Sequence, residues 1–179
     1  RATFAFGVNH AGVVVGGSVE FSSGLGDGPD EAFVYRDGAM QTLPTLGGPN
    51  AFARRINNFG WIVGQSDTPE GESHATVWRP RRHGGYDVID LGTLGGMFSE
   101  GVAINASGQV TGGSTLGDET FHAFLWDGTM MVDLGTLGGS VSVGRAINDS
   151  GQVTGDFTTA DEIGHAFLWD RSEERRVGK

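Results

Sequence analysis

Cysteine is absent from the 179-residue chain, and only 5 prolines occur. No disulfide framework and no thiolate-held metal is therefore available. Positive charge is scarce as well. Lys and Arg number 12 against 22 Asp and Glu, a formal net charge of −10. Binding nucleic acid requires a basic surface that neutralises phosphates, so this balance argues against DNA or RNA as a main partner. No apolar run approaches the ~20 residues of a membrane-spanning helix, so membrane insertion is not expected. No segment holds a helical period for three turns. Several catalytic signatures are missing: a Gly-x-Ser-x-Gly elbow, a His-Glu-x-x-His pair and a Gly-Lys-Ser/Thr phosphate loop. Scattered Ser, His and Asp do not make a triad without geometry, so no enzymatic activity and no catalytic residue is expected.

Glycine is abundant instead: 32 residues, more than twice its usual share of ~7%. It does not recur every third residue, which excludes collagen. Hydrophobic residues make up 37% of the chain and lie in short runs, which argues against disorder. The glycines mark a repeat. Asn-x-x-Gly occurs at Asn9, Asn57, Asn105 and Asn148, spaced by 48, 48 and 43 residues. A further glycine follows each element at Gly16, Gly64, Gly112 and Gly155. Next come Ala-led segments ending in Tyr35, Trp78, Trp126 and Trp169. Thr-Leu-Gly-Gly closes three units, and its last glycine always precedes the next Asn by nine residues.

Each unit reads as four short strands, here called A to D. Strand A precedes the Asn. Asn at the first turn position and Gly at the fourth suit a tight turn in which the Asn side chain bonds its own backbone. Strand B carries the second glycine. An acidic loop leads to strand C, as in His122–Trp126, whose two faces are both apolar. Such a strand is expected to be covered on both sides. Asp127-Gly128 then gives a hairpin turn into strand D. The fold expected is all-β: a β-propeller-like array of about four four-stranded repeats, with a β-solenoid as runner-up.

The recurring Ile-Asn, Gly-Gln-Val-x-Gly, His-Ala-Phe-Leu-Trp and Asp-Leu-Gly-Thr-Leu-Gly-Gly segments resemble the bacterial HAF repeat family. Ile104–Gly112 with His122–Gly139, and Ile147–Gly155 with His165–Trp169, match most closely; Thr76 replaces Phe in the second unit. The first unit departs further, with Glu31 for His, Tyr35 for Trp and Leu43-Pro44 interrupting Asp-Leu-Gly. The resemblance covers about residues 2–170 and implies an extracellular or cell-envelope protein with no catalytic residue to carry over. The units fall at about 1–50, 51–98, 99–141 and 142–170. Residues 171–179 look like a foreign basic tail replacing the last strand D. Without that tail the body holds 8 basic and 20 acidic residues, net −12. The chain reads as a fragment whose fourth unit is incomplete, leaving the apolar edge of strand C unpaired.

His74, His122 and His165 open three successive C strands. One per unit, they are expected to be packed or hydrogen-bonded rather than convergent on a metal. The repeat places Trp78, Trp126 and Trp169 in the core. Calcium needs six to eight oxygens. The nearest approach is Asp27 with Asp30 in Gly26–Asp30, so calcium is possible and no other cofactor is expected. Trp61 stands where other units have Val13, Gln109 and Gln152, so it is expected to be exposed and able to stack on a sugar. Arg79, Arg81 and Arg82 form the one basic cluster of the acidic body and could contact an anionic ligand. The expected role is a non-catalytic interaction or structural scaffold, a monomer meeting an unknown protein or carbohydrate outside the cell. The alternatives are the propeller part of a secreted hydrolase, or a calcium-stabilised carbohydrate-binding module.

Overall fold

The computed structural model describes residues 2–19, 29–136, 138–171 and 173–177, and among them there is no helix. The first sheet comprises β1 (Ala2–Val8), β2 (Val14–Val19), β3 (Glu31–Arg36) and β4 (Ala39–Thr42). The second comprises β5 (Ala51–Ile56), β6 (Ile62–Asp67), β7 (Ser73–Pro80) and β8 (Tyr86–Asp90). The third comprises β9 (Ser99–Ile104), β10 (Val110–Thr115), β11 (Phe121–Trp126) and β12 (Met131–Asp133). The fourth comprises β13 (Ser142–Ile147), β14 (Val153–Thr158), β15 (Gly164–Asp170) and β16 (Glu173–Val177). Every sheet is an antiparallel meander whose strands pair in sequence order. Strands of one sheet come from one unit. A solenoid would run its sheets through successive coils, so the runner-up architecture is not the one formed.

The fourth sheet corrects one expectation. Strand D is present there, and the basic tail supplies it: Phe167 pairs with Val177, Leu168 with Arg176 and Asp170 with Glu173. Strand pairing uses backbone N–H and C=O groups, so a polar segment can serve. The last strand C is therefore paired from Phe167 to Asp170 rather than left open.

The hydrophobic cores lie between sheets. The first joins Val13, Val15, Ala32 and Val34 to Ala51, Ile56 and Trp78 of the next sheet. The second joins Val63, Ala75 and Val77 to Val110, Phe124 and Trp126. The third joins Ala123, Leu125 and Leu134 to Val153, Phe157 and Phe167. Strand C thus feeds two cores: Phe124 and Trp126 face backward, Ala123 and Leu125 forward. Burying each large side chain is worth about 1.5–3 kcal/mol. Strand A of each later sheet packs over strands A, B and C of the sheet before it.

A shared irregularity explains the strand B glycines. Strand A carries a bulge in every unit, with register shifts between Ala5 and Gly7, Ala53 and Arg55, Gly101 and Ala103, and Gly144 and Ala146. Near each bulge a strand A carbonyl, that of Phe4, Phe52, Glu100 or Val143, presses onto Gly16, Gly64, Gly112 or Gly155. A Cβ there would overlap the carbonyl oxygen, and both atoms belong to backbone held in a ladder. Gly112→Ala is therefore expected to cost about 3 kcal/mol, measured by urea unfolding. A loss below that of an exposed-turn control such as Gly128→Ala would contradict the close approach.

Candidate functional site

Within a meander, the A–B and C–D turns emerge at the same end of every sheet. At this end the four repeat asparagines form a ladder. The side-chain oxygen of Asn57 accepts the N–H groups of Phe59 and Trp61, both at 3.0 Å. Asn9, Asn105 and Asn148 accept from their own turns in the same way. This half matches the turn read from the sequence. The other half links units: the Asn9 amide donates to the Asn57 carbonyl at 3.3 Å, Asn57 to Asn105 at 2.9 Å, and Asn105 to Asn148 at 3.0 Å.

The histidines tie strands together within their sheets. His74 Nδ1 lies 2.9 Å from Asp90 Oδ1, and its Nε2 lies 3.2 Å from Glu72. His122 Nδ1 lies 2.9 Å from Asp133 Oδ1. The same aspartate oxygens accept the N–H of Gly92 at 2.7 Å and of Gly135 at 2.6 Å. Each His–Asp pair therefore pins the start of strand C to the end of strand D. His165 instead stacks on Phe157 with ring centroids 5.5 Å apart. The three rings sit on separate sheets.

Among the described residues, no three His, Asp or Glu side chains gather as a metal-holding group. Asp27 lies outside the described residues. The Asp30 N–H donates to Asn50 Oδ1 at 3.0 Å, and Asn50 Nδ2 donates to Asp67 at 2.6 Å. Burial, and then the Asp67 charge, raise the Asp30 carboxyl above its ordinary value.

Between the C–D hairpins of the first two sheets lies a groove of about 250 Å³. Its walls include Val34, Arg36, Pro80, Arg81 and Tyr86. The five extra residues of the second unit build one wall. Gly84 and Gly85, with φ of 90° and 76°, make the tight tip that only glycine adopts freely. Arg81 Nε donates to Asp87 at 2.7 Å and Arg79 approaches the same carboxylate at 3.7 Å. The Arg81 hydrogen bond holds Asp87 below the usual carboxylate range. Burial pushes the Tyr86 phenol up, while the Arg36 charge pulls it down.

Trp61 is half-buried rather than exposed. It borders the second core, and a side chain at Gly108 would strike its ring. Arg79 covers it, with Cζ 5.8 Å from the ring centroid. The glycine of the next unit's turn gives the indole a flat seat. The structure thus brings Trp61, Arg79 and Arg81 together, while Arg82 stays exposed at the tip. Arg36 and Tyr86 were not foreseen; only the stacking of neighbouring hairpins brings them into one groove. No family model matches the chain, and no curated protein matches it.

Asn57→Ala removes three hydrogen bonds at a buried site and is expected to cost about 2–3 kcal/mol. Asn148→Ala, at the exposed end of the ladder, should cost about 1 kcal/mol. Equal losses in urea unfolding would refute the inter-unit rung. Asp30→Asn is expected to raise the melting temperature at pH 7. The raised folded-state pKa penalises the charged carboxyl once pH exceeds it, and the penalty is absent below the ordinary 3.8. The advantage should therefore disappear as pH falls below that value. Melts across the pH range check this, and a destabilised variant at pH 7 would contradict it.

Proposed function

We propose that the chain is a non-catalytic extracellular or cell-envelope module, a propeller-like array of HAF-type repeats that holds a carboxylate-bearing carbohydrate. The observation that carries this reading is the groove between the first two hairpins. There the second unit's insertion breaks the repetition and sets Arg81 opposite Arg36 beside a tyrosine. Guanidinium groups match carboxylates in geometry and charge. Pro80, with the edge of the buried Tyr86, gives the groove an apolar side against which a sugar ring can rest. Around the groove Arg36, Arg79 and Arg81 outnumber Asp37 and Asp87, a local positive excess that directs an anion to one place on an otherwise acidic body.

The propeller-like arrangement is supported by how the sheets approach one another. Close approach runs through strand A, which carries Ala and Gly at Ala53, Gly101 and Gly144. Strand C keeps its Trp and Phe, and strand D adds further large side chains to the same cores, Tyr86 and Val88 in the first and Ile89 and Met131 in the second. Small residues on one side and large ones further out make a wedge, which is how blades splay around an axis. The outward location rests on the HAF resemblance. Among the described residues no helix is long and apolar enough to cross a membrane.

Calorimetric titration with galacturonate oligomers and with neutral oligomers of equal length tests the reading. Binding is expected for the acidic series alone, weakening with salt. Arg36→Ser combined with Arg81→Ser should abolish it. Equal binding of both series, or full binding by the double variant, would reject the groove as the site.

A further inference from the structure

The three internal interfaces show what each face of a unit is built to receive, and the two end faces can be compared with them position by position. On the first sheet, Val8 is 65% exposed, whereas its equivalent Ile56 is 8% exposed. Tyr35 is 41% exposed against 0% for Trp78 and 7% for Trp126. Ala5 is exposed, while its equivalent Ala53 is fully buried. On the fourth sheet, Leu168 is 44% exposed against 4% for Val34, 0% for Val77 and 1% for Leu125. Ala166 is exposed where Ala32, Ala75 and Ala123 are fully buried. Thr154 is exposed where Val15, Val63 and Thr111 are fully buried.

The polar rungs stop at the same two faces. Among the described residues, the Asn148 side chain meets no further Asn carbonyl, and the Asn9 carbonyl receives no amide from a preceding unit. A hydroxyl relay crosses two of the internal interfaces as well. The Ala75 N–H donates to Ser99 Oγ at 2.7 Å, and Ala123 to Ser142 Oγ at 2.8 Å. Thr3 holds the equivalent place on the first sheet, so its hydroxyl faces outward at the position that would meet the Ala166 N–H.

We infer that these ends are complementary halves of one interface, and that a second copy of this chain docks there head to tail. The first sheet of one copy lies on the fourth sheet of the other. Val8, Ala5 and Tyr35 cover Thr154, Ala166 and Leu168, the Asn ladder gains a rung from Asn148 to Asn9, and Thr3 accepts from Ala166. Such a seam continues an interface the chain already makes three times over. Neither end face includes the Arg36–Arg81 groove. The seam also replaces the monomer expected from the sequence with an associating chain. Two features make this seam looser than the internal ones. Copies of net charge −10 repel each other, and Asp156, paired with Arg145 at 2.8 Å, stands where the first unit offers Gly17 to Phe52. Such an interface is heterologous, so repetition closes into a ring or continues as a fibre.

Sedimentation velocity and light scattering of the full chain read the outcome. The mass is expected to rise above one chain with concentration, and to rise further with added salt, which screens the repulsion. Val8→Glu and Leu168→Glu each disable one half and should each be monomeric. Both positions are exposed, so both variants should keep the wild-type circular dichroism and melting. If either fails to fold, Tyr35→Glu or Ala166→Glu on the same face takes its place. Mixing the two variants leaves one intact head and one intact tail, and should give a pair that grows no further. A wild-type chain that stays monomeric from about 1 µM to about 1 mM would overturn the inference. So would association that survives Leu168→Glu, since that would point to a head-to-head contact.

Discussion

The molecule depends on the burial of strand C from both sides. A single meander of four short strands has two apolar faces at that strand and can cover neither by itself. Phe124 and Trp126 need the second sheet, and Ala123 and Leu125 need the fourth. Repetition is therefore a physical requirement before it is a pattern. Every other feature either brings the next sheet to the right distance or holds it in register.

Distance is set by the bulged strand A and the glycine beneath it. Ala53, Gly101 and Gly144 lie flat against the preceding sheet, and the bulge carbonyls sink onto the strand B glycines. Register is set by polar links at both ends of the unit. At one end the Asn rungs run from unit to unit. At the other, Gly48 donates to the Asp67 carbonyl and Gly96 to the Thr115 carbonyl, both near 3.0 Å. The stretch from crossing glycine to asparagine is thus anchored at both ends, which is why its nine-residue length does not vary. The B–C loop and the C–D hairpin carry no such double anchor. All the length variation falls there, including the insertion that builds the groove wall.

Much of this was legible in the sequence, for reasons that particular residues make clear. The Asn-x-x-Gly turn and the two-faced strand C could be read because their signals are local. The ladder could not, because the turn alone already accounts for an asparagine at that position. The Ser99 and Ser142 relays were hidden for a similar reason: an isolated serine at a strand start has no signature. The polar counterparts Gln109 and Gln152 point to an exposed Trp61, since nothing local says that Gly108 of the next unit seats the ring. The charge of the tail hides its strand. Its composition is foreign to the repeat, but residues 173–177 stand at the distance from Phe167 that strand D requires. Arg36 and Tyr86 could not be paired in advance, because their meeting depends on how two sheets stack.

Cores that lie between units rather than within them have a further consequence for the way such a chain can change length. Four units share three cores, so a lone unit would have none and each added unit brings a whole one. Because every unit offers the same front and the same back, excising an internal unit leaves two faces that still match. Duplicating one inserts a ready-made partner for both neighbours. The chain can therefore be lengthened or shortened in steps of one repeat while keeping the contacts common to its interfaces, whereas a cut within a repeat strands half a sheet. The 48- and 43-residue intervals between its asparagines are the natural quanta of its growth.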